Sequence, residues 1–129
     1  MSLLRKLLIA IVLLFPSMAL AAEGALTNAS TLTITAGTTW QTLFAANTNR
    51  STLWIENPCT ATSQGIATAE SIFVYFVPFN GSCLASGTTG AFELQVCGSL
   101  VQTPQYVSQQ KICVYAATTG HVFQASQTQ

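Results

Sequence analysis

Short runs that alternate apolar and polar residues, broken every few positions by Gly, Asn or Pro, restrict the fold of this chain more than any other feature. Thr31-Leu32-Thr33-Ile34-Thr35 alternates strictly, Ala36-Gly37 turns, and Trp40 to Phe44 opens a second apolar segment. Alternation sends successive side chains to opposite faces of a strand, so one face is buried and the other wetted. Asn47-Thr48-Asn49-Arg50 reads as a tight turn. Thr52 to Glu56 then resumes with Leu53 and Ile55 on one face, until Asn57-Pro58 ends it, because proline has no N–H for a ladder. Ser71 to Phe79 is apolar on both faces, which predicts either a central strand or a strand with one face in the core and the other turned to a partner. Phe92 to Val96, Lys111 to Ala117 and Val122 to Ala125 complete the set, with turns at Asn80-Gly81-Ser82, Gly87 to Gly90 and Thr118-Thr119-Gly120. About seven short strands and no helical period predict an all-β fold, a small antiparallel β-sandwich.

The first 21 residues follow a different rule. Arg5 and Lys6 precede the apolar run Leu7 to Phe15, Pro16-Ser17 breaks it, and Ala19-Leu20-Ala21 has the small-x-small form of a cleavage site. The expected organisation is a signal-peptide helix over 1–21, cut before Ala22, and a single β domain over 22–129. Nine apolar residues fall short of the roughly 20 that span a bilayer, and no cysteine follows them to carry a lipid. The protein is therefore expected to be exported, to the periplasm or beyond, with no membrane span after cleavage.

Charge narrows the possible chemistry. Only 6% of residues are charged, against roughly 25% in an ordinary globular domain. There is no aspartate, the carboxylates are Glu23, Glu56, Glu70 and Glu93, and His121 is the single histidine. A Ser-His-Asp triad, an EF-hand loop and an aspartate dyad are excluded. Without Arg5 and Lys6, only Arg50 and Lys111 stand against four glutamates, a net charge of −2. Two cations cannot track a phosphate backbone, so no nucleic-acid partner is expected.

Four cysteines, Cys59, Cys83, Cys97 and Cys113, lie in the exported part, where two disulfides are expected. Their intervals lack the C-x2-C pairs of zinc sites, and no metal or other cofactor is expected. Three pairings are possible; Cys59–Cys83 with Cys97–Cys113 is the preferred one. Each bridge would contribute about 3 kcal/mol by restricting the unfolded chain.

Two catalytic readings remain. A thiol nucleophile would have to pair with His121, and a glutamate-dependent hydrolase would need two of Glu56, Glu70 and Glu93 in one cleft, about 5–9 Å apart. Glu56 and Glu93 occupy the polar phase of alternating strands, where a solvated side chain is the ordinary outcome. Trp54 is out of phase with Leu53 and Ile55 and should face away from the core. Trp54, Tyr75 and Tyr106, joined by Phe73, are the candidate partner-binding residues, and on one exposed platform they would suit a glycan. Asn28, Asn49 and Asn80 head Asn-x-Ser sequons.

Leu43 to Pro58 resembles a pattern of small β-sandwich accessory and virion-associated proteins of phages and prophages. A strand there ends in A-x-N-x-x-R, matched by Ala45, Asn47 and Arg50, and the next reads L-x-I-x-N-P, matched by Leu53, Ile55, Asn57 and Pro58. The resemblance implies a structural role with no catalytic residues to carry over. Physically, Asn47 and Asn49 suit a turn and Arg50 can tie it to nearby carbonyls. The function expected is binding or assembly, by self-association or with a protein or cell-surface partner.

Overall fold

A computed structural model describes residues 30–129. The export signal expected over 1–21 and the Asn28 sequon lie outside the described residues. Among the described residues, eight strands and one short helix follow in the order β1 (Ser30–Thr33), β2 (Gln41–Phe44), β3 (Thr52–Glu56), α1 (Ala61–Gln64), β4 (Ile72–Phe76), β5 (Phe92–Leu94), β6 (Ser99–Gln102), β7 (Ile112–Tyr115) and β8 (Val122–Thr128). They form two four-stranded antiparallel sheets, sheet A in the order β1-β8-β3-β6 and sheet B in the order β2-β7-β4-β5. The expected all-β sandwich is present.

The core lies between the sheets, where the alternation predicts it. Leu53, Ile55, Phe123 and Ala125 face inward from sheet A and meet Ile72, Val74, Leu94, Ile112 and Val114 of sheet B. A second, smaller cluster covers the outer face of sheet B. Phe73, Tyr75 and Tyr115 project there beside Trp40, Val77 and Cys113, and the segment between β4 and β5 brings Cys83, Leu84 and Ala91 over them. Trp40 packs on Tyr75 and Tyr115, with ring centroids 5.9 and 5.4 Å apart, and its Nε1 donates to the Gly87 carbonyl at 2.8 Å. The doubly apolar strand is thus the central one of the two alternatives: β4 lies between β7 and β5 and is covered on its outer face by the chain's own loop.

Two elements differ from expectation. β6 is an eighth strand; Ser-Leu-Val-Gln is too short to show a period by itself and gains strand form by pairing with β3. The one-turn helix α1 is held by local capping: the Thr60 side chain accepts from the Ser63 backbone, Ser63 answers the Thr60 backbone, and Gly65 closes the turn at φ +68°.

The preferred cysteine pairing is corrected. The bridges are Cys59–Cys97 and Cys83–Cys113, spanning 38 and 30 positions. Sheet register is the reason. Glu56 at the end of β3 lies opposite Ser99 at the start of β6, so the residues just after β3 meet those just before β6. Tyr75 of β4 lies opposite Cys113 of β7, and the loop after β4 folds back onto that position with Cys83.

Candidate functional site

The described charged groups fall into two enclosed clusters and a sparse surface. The first cluster surrounds Asn57, immediately after β3. Its Nδ2 donates to the carbonyls of Glu70, Leu94 and Gln95 at 2.9, 3.1 and 3.2 Å. That fixes the orientation of the amide and leaves Oδ1 to accept from Gln64 Nε2 at 2.9 Å and to face His121 Nε2 at 3.0 Å. The other ring nitrogen, Nδ1, lies 3.1 Å from Glu70 Oε1. Thr118 completes the site, its backbone N–H donating to Glu70 Oε1 at 2.8 Å and its hydroxyl to Oε2 at 2.9 Å. Burial pushes the Glu70 pKa up, but the hydrogen bonds from His121 and Thr118 outweigh it and hold the carboxyl below the usual glutamate range.

Both ring nitrogens of His121 face oxygen atoms, Nε2 the Asn57 amide and Nδ1 the Glu70 carboxylate. His121 is fully buried, and its nitrogens are occupied by Asn57 and Glu70. The cluster fixes the ring between set partners and presents neither nitrogen to an outside molecule. All four cysteines are bridged, so no thiol stands beside the imidazole.

The second cluster is Arg50, 2% exposed. Its Nε donates to Gln127 Oε1 at 2.8 Å, Nη1 to the carbonyls of Ser108 and Gln110 at 2.5 and 2.9 Å, and Nη2 to the Ala45 carbonyl at 2.8 Å. The guanidinium lies 5.8 Å from the centroid of the Phe44 ring. Burial lowers its pKa, and it remains a cation. The sequence reading of this arginine as a tie to nearby carbonyls matches the structure.

The remaining candidates are dispersed. Glu56 points outward from sheet A, opposite Ser99 and Gln124; Glu93 points outward from sheet B, opposite Phe73; Glu70 turns into the His121 cluster. Trp54 lies half-buried on the outer face of sheet A beside Val101, its cross-strand partner. Tyr75 belongs to the aromatic cluster on the opposite outer face, and Tyr106 stands 81% exposed in the loop after β6. Trp54 and Tyr75 therefore do not share one platform. Val77, Pro78, Phe79 and Lys111 line an open groove of about 540 Å3. Among the described residues, no helix is long and apolar enough to cross a membrane, and no three His, Cys or Glu side chains are grouped to hold a metal ion.

Sheet edges are the feature that sequence reasoning did not resolve, because strand order is invisible to it. Sheet B has blunted edges: β2 carries a register irregularity between Thr42 and Phe44, and β5 is three residues long with an exposed glutamate. Sheet A ends in β1 (Ser-Thr-Leu-Thr) and β6 (Ser-Leu-Val-Gln), which contain no charge and no proline. Val101 on β6 is 61% exposed.

The sequence matches no protein-family model and no curated protein. Among solved structures it is similar to a chain from the Bacillus endospore appendages, described as a novel family of disulfide-linked pili. That match has 12% identity and a TM-score of 0.40, and it covers 88% of this chain and 97% of that one. At these values the likeness assigns no activity to the present chain.

Proposed function

We propose that the chain is an exported structural protein that works by assembly and without catalysis, with further copies of itself as its partner. The observation that carries this reading is the edge pattern of sheet A. Its four strands are antiparallel throughout, so β1 and β6 run in opposite directions. A second copy in the same orientation, placed with its β1 beside β6 of the first, continues the antiparallel pattern unbroken. Such a head-to-tail contact uses two different surfaces and propagates instead of closing on itself. Low charge removes the repulsion that would oppose it, and Val101 next to Trp54 supplies apolar area at the junction. Two disulfides suit an oxidising compartment outside the cytosol. The phage-type resemblance of Leu43 to Pro58 fits a building block of this kind.

The test is light scattering after size exclusion, with negative-stain microscopy, on the secreted, oxidised protein. Oligomers that lengthen with concentration are expected. Val101→Lys and Thr31→Lys, both at exposed edge positions, should return the protein to monomer with an unchanged circular dichroism spectrum. A wild-type protein that stays monomeric at high concentration, or filaments indifferent to both lysines, refutes the reading.

A further inference from the structure

The two disulfides differ in accessibility and in what depends on them. Cys83–Cys113 is enclosed: Cys113 is fully buried and its partner half-buried, within the cluster that contains Trp40, Tyr75 and Tyr115. Cys59–Cys97 lies at the surface with both half-cystines exposed. Cys97 also has a φ of +66°, in the left-handed region that a residue with a Cβ disfavours.

The turn that carries Cys97 is held independently of the bridge. The Asn57 backbone N–H donates to the Gly98 carbonyl at 2.9 Å, and Gly98 N–H donates to the Gln95 carbonyl at 2.7 Å. The Asn57 side chain grips the carbonyls of Leu94 and Gln95, and Asn57 is itself fixed by Gln64 and His121. On the other side, Cys59 precedes Thr60, the residue that caps α1. Opening this bridge leaves those hydrogen bonds in place. The loop between β4 and β5 has thinner support, chiefly Trp40 Nε1 to Gly87 and Lys111 Nζ to Gly81 at 3.4 Å, so it depends on Cys83–Cys113.

We propose that Cys59–Cys97 is a thiol-exchange site that low-molecular-weight thiols open in the folded protein while Cys83–Cys113 stays closed. The incoming thiolate attacks one of the two sulfurs and forms a new S–S bond to it. The Cys59–Cys97 bond breaks, and the other cysteine departs as a thiolate that takes a proton from water. The product carries one mixed disulfide and one free thiol. A second thiolate attacking the outer sulfur of the mixed disulfide releases the oxidised small thiol and leaves Cys59 and Cys97 both reduced. Access governs the choice, since attack requires the thiolate to reach sulfur. This site does not depend on the assembly reading.

The experiment incubates the secreted, oxidised protein with reduced glutathione under native conditions, quenches with acid, alkylates, and maps the four cysteines by peptide mass spectrometry. Glutathione and alkyl adducts should appear on Cys59 and Cys97 at least about tenfold faster than on Cys83 and Cys113. The near-ultraviolet dichroism of the Trp40 cluster should persist in the singly opened protein. Equal labelling of both pairs, earlier labelling of Cys83 and Cys113, or loss of the aromatic signal with the first adduct overturns the proposal. A Cys59→Ser, Cys97→Ser double variant gives a second check: it should unfold at a temperature nearer to wild type than Cys83→Ser, Cys113→Ser does, and the reverse order counts against it.

Discussion

Replacing Arg50 by methionine keeps most of the apolar stem and deletes the guanidinium, so it isolates what the buried cation contributes. Four hydrogen bonds disappear, to the Gln127 side chain and to the carbonyls of Ala45, Ser108 and Gln110. At about 1.5–3 kcal/mol for each bond to a charged group, their sum is an upper bound. The guanidinium also gave up its own hydration, at a cost of several kcal/mol that its removal returns. The deficit that remains is set by neutral acceptors left without a donor, at about 1–3 kcal/mol for each one that stays enclosed, so a net loss of about 3–5 kcal/mol is expected. In a domain of this size, 1 kcal/mol moves the unfolding midpoint by about 4–8 °C, so Arg50→Met should lower Tm by roughly 12–40 °C. Urea unfolding of the oxidised protein should show the midpoint falling at constant slope. Arg50→Lys keeps the charge but not the fork, and should fall between wild type and Arg50→Met. If Arg50→Met lies within about 1 kcal/mol of wild type, the account of this residue as a clamp is refuted.

Glu70 supplies a pH dependence. Its folded pKa is depressed, so its contribution is present above the unfolded glutamate value and is lost as pH falls through the folded one. Wild-type Tm should drop on acidification below about pH 4.3, Glu70→Gln should be less stable at neutral pH and flatter in the acid range, and superimposable profiles would exclude this role. Gly37→Ala would bring a Cβ to 2.5 Å from the Ala117 carbonyl oxygen and 2.6 Å from the Thr119 nitrogen, both backbone atoms. Thermal unfolding should show a loss of about 1–3 kcal/mol, and an unchanged midpoint would mean that the contact between this turn and the β7–β8 turn relaxes freely.

Local chemistry was legible and long-range register was not. Thr52 to Glu56, with Leu53 and Ile55 on one face, lies between an asparagine turn and Asn57-Pro58, and β3 has those same bounds. Arg50 was readable as a tie because it closes an asparagine turn and its Ala45 partner is near in sequence, whereas its partners Ser108, Gln110 and Gln127 are distant. β6 was missed because four residues carry no period, and α1 because one capped turn leaves no amphipathic signature. The disulfides failed for a sharper reason: the preferred pairing joined cysteines consecutive in sequence through loops of moderate length, whereas connectivity follows the pairing of β3 with β6 and of β4 with β7. The Asn57 cluster was equally hidden, since Glu70 and His121 stand 51 positions apart and Asn57 and His121 stand 64 apart. A single histidine and one of four glutamates give no sign in sequence that they will meet.

Arg50 and Asn57 bracket β3, one before its first residue and the other after its last, and both are buried polar side chains whose partners are mainly loop carbonyls. Arg50 gathers the end of β2, the segment before β7 and the end of β8; Asn57 gathers the β5–β6 turn, α1 and the β7–β8 turn through His121. A loop carbonyl enclosed without a donor costs about 1–3 kcal/mol, and a small sandwich with short connections encloses many of them. Two side chains satisfy six such groups directly, which lets the loops pack tightly with little charge. The same economy leaves the outer face of sheet A largely to hydroxyls and amides with Trp54 and Val101, and with Glu56 as the charge on β3. Charge that would ordinarily guard the edges of such a sheet is instead held at its ends, in Arg50 and Glu70, while β1 and β6 carry none.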